Sequence, residues 1–301
     1  METDSGNNKS RINLHEGVSL LLLGILLFMR IVWMGLIGAI VGEFAPEWWF
    51  HMYILITIAI ISMLILWERN SLTTYHVDLT ALVILIPLMM IGSYMATIEI
   101  YGGFGYSGFS WRWWIDARIL FLPIGLALFL GLLLSCIAKK RAGNLSIREM
   151  ALVYICNQNR KGLIFGVVVG IVVGLILGTL ESMLFPVVRI PISLFEIVTL
   201  LMYQLINAAA VEEPVFRGFL WGHLRKRGMK DSHVFIFQAL LFWIAHIYYL
   251  SVLPLSMFLI VPLGSFILGF IVWRTHSIGA SMLTHGLVNT IMQVLHFYSI
   301  A

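Results

Sequence analysis

Long apolar runs broken by short polar or basic connections dominate the 301-residue chain. About 20 apolar residues in helical form cross a hydrocarbon core of ~30 Å. By that measure the runs near residues 17–42, 48–67, 79–98, 119–138, 162–180, 193–211, 233–250, 254–273 and 277–298 are expected spans. Residues 212–230 form a more polar stretch, expected to be helical and partly within the membrane. The pattern predicts an all-α, polytopic helix bundle of about nine transmembrane spans. Residues 1–16 are polar and lack a small-residue cleavage site, so 17–42 reads as a retained first span rather than a signal peptide.

Charge refines this picture. With the N-terminus inside, fifteen Lys and Arg fall on the cytoplasmic side, and only Arg112, Arg118 and Arg189 on the other. That asymmetry predicts an N-in, C-out topology in the cell membrane. Overall, 60% of residues are hydrophobic and 11% charged, against roughly 25% charged in soluble domains. The lipid bilayer is therefore the expected surrounding. The formal net charge of +4 resides in loops that encode topology, so no nucleic-acid partner is expected. Cys136 and Cys156, the two cysteines, lie at or in a basic cytoplasmic loop and read as unpaired thiols; no CxxC or His/Cys zinc spacing is present.

Two features read structurally. The aromatic-rich stretch 101–118 suits an interfacial hairpin. Gly162, Gly166, Gly170, Gly174 and Gly178 recur every four residues, a small-residue stripe for close helix packing.

Ionisable groups within apolar helices are expensive and functional by default. Three clusters stand out: Glu212-Glu213-Pro214-Val215-Phe216-Arg217, then Phe242-Trp243-Ile244-Ala245-His246, then His285-Gly286-Leu287-Val288-Asn289. Residues four apart share a helix face, so Glu213 reaches Arg217, and His285 and Asn289 project together. Glu212 is turned about 100° from Glu213 and has no local cation. Gln204 lies on the Glu212 face. Pro214 disfavours helical geometry at the residue before it and removes a donor, so a kink opening a cavity beside Glu212 is expected. Arg30, inside the first span, and Glu196, in the sixth, have no assigned role: a buried pair and snorkelling of Arg30 to the interface both remain open.

At these residues the sequence resembles the CPBP family, the CAAX-protease and bacteriocin-processing (Abi) group of intramembrane proteases. The family pattern EExxxR, FxxxH, HxxxN appears in order as Glu212-Glu213-xxx-Arg217, Phe242-xxx-His246 and His285-xxx-Asn289. The resemblance covers residues 193–298 and implies catalytic helices at 193–301; hydropathy and charge set a cytoplasmic arm (1–16) and N-terminal membrane helices of about five spans (17–192) before them. It implies an intramembrane endopeptidase acting on a membrane-associated peptide or protein. Glu212 would be the general base on water, assisted by His246. His285 and Asn289 would stabilise the oxyanion, and Glu213 with Arg217 would orient the catalytic helix. Amide hydrolysis needs a base and an oxyanion donor, and these residue types supply both.

The family is also labelled as metalloprotease. If zinc is present its ligands would be Glu212, His246 and His285, but there is no HExxH, and a metal-independent glutamate mechanism is preferred. Two rival readings are a non-catalytic bacteriocin-immunity or scaffold protein of the same fold and a transporter. The second predicts polar residues spread over the whole membrane depth, whereas the strongest cluster is confined to the last third. A prenylated CAAX protein, a bacteriocin leader and a signalling peptide are all admissible substrates.

Overall fold

The computed structural model describes residues 14–37, 56, 57, 60, 61, 64, 160–184, 190–252 and 254–300. The expected spans 79–98 and 119–138, most of 48–67, the aromatic stretch 101–118 and both cysteines lie outside them.

The architecture is nearly all helical. Helix α1 (Leu14–Phe28) continues without a break as a wider π-helical segment, Met29–Ile37. Helix α2 (Arg160–Leu184) is followed by strand β1 (Ile190–Ile192). A long helix then changes register repeatedly, as α3 (Leu194–Gln204), a π segment Leu205–Ala209, α4 (Ala210–Glu213), a π segment Pro214–Leu220 and α5 (Trp221–Lys226). Then come α6 (Asp231–Ile244), the single turn α7 (Tyr249–Val252), a π segment Ser256–Ile260 leading into α8 (Val261–Thr275), α9 (Ile278–Phe297) and strand β2 (Tyr298–Ile300).

Local chemistry sets the boundaries. Ser193 caps α3 in a reciprocal box: its Oγ accepts from the Glu196 backbone, and Glu196 Oε2 accepts from the Ser193 backbone N–H at 2.7 Å. Glu196 is thus a capping residue, and its pairing with Arg30 is ruled out by a different partner described below. Helix α8 ends at His276, which adopts a left-handed conformation (φ 52°) and returns its N–H to the Val272 carbonyl. Ser277 then accepts from the Ala280 N–H and opens α9.

Among the described residues, three helices are long and apolar enough to cross a membrane: Glu16–Trp33, Lys161–Leu184 and Ser256–Thr275. The outward face of α2 carries Ile164, Phe165, Val168, Ile171, Leu175 and Ile176, all exposed. An apolar face of that extent is suited to lipid, not to water.

The opposite face of α2 is the glycine stripe, and α9 lies directly on it. A Cβ at Gly166 would stand 2.5 Å from the Ala280 carbonyl oxygen, at Gly170 3.1 Å from Thr284 Cα, at Gly174 2.9 Å from Ile291 Cβ and at Gly178 3.0 Å from Met292 Cα. The Thr284 hydroxyl donates to the Gly166 carbonyl at 2.8 Å. The stripe therefore seats the helix that carries His285 and Asn289.

Three expectations need correction. Pro214 does not break the chain: Glu213 stays right-handed helical (φ −62°, ψ −42°), and so does Pro214. The ring's missing N–H and its clash with the preceding turn are absorbed by widening to π geometry. The expected continuous span at 233–250 instead ends at Ile244, and the following turns tighten to bonds between residues three apart, such as the His246 N–H to the Trp243 carbonyl. Finally, the fold is not wholly α, because β1 and β2 pair in parallel with Pro191 opposite Ser299.

The glycine seat yields a paired test. Gly166→Ala is expected to destabilise by about 1–3 kcal/mol through overpacking against backbone. Gly24→Ala, which meets nothing within 4 Å, is expected to stay within about 0.5 kcal/mol. Thermal unfolding of the two variants in the same detergent measures the difference.

Candidate active site

Four segments meet at the site. The α4 turn supplies Glu212 and Glu213, each flanked closely by π geometry. The tight turn after α6 supplies His246, α9 supplies His285, and the π segment of α1 supplies Arg30. All five side chains are buried.

The two carboxylates face different partners. Glu213 is fully buried, and its Oε1 accepts from Arg217 Nη1 at 3.3 Å and from His285 Nδ1 at 2.9 Å. Its Oε2 accepts from the Ser281 hydroxyl at 2.5 Å. Arg217 also donates to the Ser265 carbonyl at 3.2 Å and lies over the Phe242 ring, 4.0 Å from its centroid. Glu213 and Arg217 thus join their own helix to α6, α8 and α9. Glu213 also orients the His285 imidazole through its Nδ1.

Glu212 looks the other way. Its Oε1 accepts from Arg30 Nη2 and lies 3.7 Å from His246 Nε2. Its Oε2 lies 3.9 Å from His285 Nε2 and has no hydrogen-bond partner among the described residues. That separation exceeds a direct hydrogen bond and falls in the range a single water bridges.

His246 is fixed at both ring nitrogens. Arg30 Nη2 stands 2.7 Å from Nε2, and a guanidinium only donates, so Nε2 accepts. The ring proton is then on Nδ1, which donates to the Phe242 carbonyl at 2.7 Å. The Phe242 ring lies against the imidazole, centroids 4.5 Å apart, and Tyr249 stacks on it at 5.8 Å. Phe242 therefore serves the site twice, through its carbonyl and through a ring that lies close to both His246 and Arg217.

The structure brings Glu212, His246 and His285 together. Asn289 stands one turn beyond His285, half-buried, and donates to Gln204 Oε1 at 3.2 Å. Two participants escaped the sequence reading. Ser281 gave no signal beyond its place one turn before His285. Arg30 did give one, as a charge in an apolar run calls for a partner, but nothing local names that partner. The first helix packs closely here at Gly35, where a Cβ would lie 3.3 Å from the Ala245 carbonyl, beside His246.

A zinc ion does not fit this arrangement as it stands. Among the described residues no group of three or more His, Cys, Asp or Glu is disposed to hold a metal ion, and the Arg30 guanidinium lies between Glu212 and His246, using the lone pair on Nε2 that a metal would need.

Residues 194–291 match the family model described as Rce1-like, type II CAAX prenyl endopeptidase Rce1-like. The match supports the CAAX/CPBP intramembrane-protease family for this segment. The CAAX-protease segment is about a third of the chain and holds Glu212, His246, His285 and Asn289, while Arg30 lies outside it. No curated protein matches the chain, and no solved structure matches it.

In this CAAX-protease segment the Glu213 contacts predict a folding defect. Glu213→Gln removes the counter-charge of a fully buried arginine and is expected to cost about 3–5 kcal/mol. The readout is the yield of monodisperse protein and its unfolding midpoint, both of which should fall.

Proposed function

We infer that the protein is a multi-pass intramembrane endopeptidase that hydrolyses a peptide bond of a membrane-associated peptide or protein. The supporting observation is the meeting of Glu212, His246 and His285 from three separate segments, with both imidazoles within 4 Å of the Glu212 carboxylate, inside a stretch that matches an endopeptidase family.

The chemistry follows from which atoms are free. Glu212 Oε1 is engaged by Arg30, which leaves Oε2 to act on a water held jointly with His285 Nε2. Glu212 takes the proton of that water as its oxygen attacks the substrate carbonyl. Asn289 spends one amide proton on Gln204 and has a second to offer the tetrahedral oxyanion. Glu212 then returns the proton to the leaving amine. Glu213 keeps the His285 ring oriented throughout. His246, with its Nε2 accepting from Arg30, cannot donate there and holds the guanidinium in place rather than touching water. No step in this scheme needs a metal. The family description makes prenylated C-terminal peptides the first substrates to try.

Cleavage of lipid-anchored peptides, prenylated and unprenylated, by detergent-purified protein tests the reading. Glu212→Gln keeps size and hydrogen bonding but not basicity, so the rate should fall by about 10³-fold with normal expression. Wild-type rates in Glu212→Gln would sink it. So would a wild-type protein that binds such peptides and cleaves none of them, the behaviour of a scaffold or immunity protein.

A further inference from the structure

Both imidazoles of the site are held in the manner of metal ligands. Each has its Nδ1 tied to an acceptor, Glu213 Oε1 for His285 and the Phe242 carbonyl for His246, and its Nε2 directed toward Glu212. Such outer hydrogen bonds are the usual support of zinc-bound histidine. The Nε2 atoms lie 3.7 and 3.9 Å from the Glu212 oxygens, close to the roughly 3.3 Å that separates ligand atoms around tetrahedral zinc. Yet what stands between Glu212 and His246 is a guanidinium delivered from the first helix. Arg30 is itself deeply buried, with its Cζ 5.7 Å from the Tyr248 ring centroid.

We propose that Arg30 is the resident cation of this site, a positioning residue that aims Glu212 and His246 and closes the place between them to a metal ion. The assignment rests on the peptidase reading for its kinetic consequence but not for its structural one. One Arg nitrogen satisfies a carboxylate oxygen and an imidazole lone pair at once, so the two side chains are fixed relative to each other without coordination chemistry. With Oε1 held, Glu212 presents only Oε2 to water. Without the guanidinium, a carboxylate and two pre-oriented imidazoles surround a space that needs a positive charge, and a divalent ion is the chemistry that would fill it.

The test uses the full chain in detergent, with Arg30→Gln (charge removed, polar) and Arg30→Lys (charge kept). Each is incubated with zinc, freed of unbound ion and assayed for metal content, with folding followed by gel filtration. Wild type and Arg30→Lys are expected to remain metal-free. Arg30→Gln should take up about one zinc per chain, and lose it again when combined with Glu212→Gln. In peptide cleavage Arg30→Gln, stripped of metal, should lose about 100-fold in kcat with KM within about threefold, and Arg30→Lys should recover much of the loss. A merely structural arginine would lower folded yield and leave kcat per folded molecule unchanged. A wild-type protein that binds zinc through Glu212 would overturn the proposal, as would a folded Arg30→Gln that takes up no metal or keeps wild-type kcat. Should Arg30→Gln not fold, Arg30→Lys decides alone: if it takes up zinc, or if it stays metal-free but loses kcat as completely as Glu212→Gln, the proposal fails. Failure of the peptidase reading is separate: no cleavage by wild type leaves the metal measurement standing.

Discussion

Glu213 has no solvent exposure, and its two oxygens accept from Arg217, His285 and Ser281. A carboxylate buried so completely is tolerated only where charge and hydrogen bonds are supplied locally, and here the donors come from its own helix and from α9. Arg217 in turn reaches the α8 backbone and the α6 aromatic Phe242. Four helices are thereby joined through one buried ion pair, Glu213 and Arg217. The position of His285 relative to Glu212, on which any chemistry at this site depends, is a consequence of how Glu213 is satisfied.

The neighbouring carboxylate shows the opposite economy. Glu212 is satisfied at one oxygen and open at the other. An unmatched buried acceptor is costly to stability and has value only where a water or substrate can use it. Two adjacent residues on one helix therefore divide into a group whose bonds are complete and a group whose bonds are deliberately incomplete. Their roughly 100° angular separation makes the division geometrically simple.

The motif residues were legible in the sequence because their signals are local. A carboxylate four residues before an arginine, a histidine four before an asparagine and glycines every four residues each declare a shared helix face. The structure realises the Glu213–Arg217 pair and the α2–α9 seat in that way. Arg30 could be flagged as an anomaly but not paired, since its partners are 182 and 216 residues away and no periodicity encodes so distant a contact. The π segments were also invisible: one extra residue per turn leaves no mark on an apolar run, and Pro214, the one cue, pointed to a kink. The β1–β2 pair, three residues on each strand, is too short to show an alternating pattern.

The distance between Arg30 and Glu212 also has a consequence for biosynthesis. The first helix emerges from the ribosome long before Glu212 does, so the contact between Arg30 and Glu212 closes late in synthesis. An arginine there is tolerated for a time, because its long side chain can reach the headgroups. Only once the Glu212 helix has been made can the guanidinium hold the carboxylate and the imidazole together. The cluster of Arg30, Glu212 and His246 therefore cannot exist in a partially synthesised chain, and its geometry waits on the meeting of the first helix with the last ones.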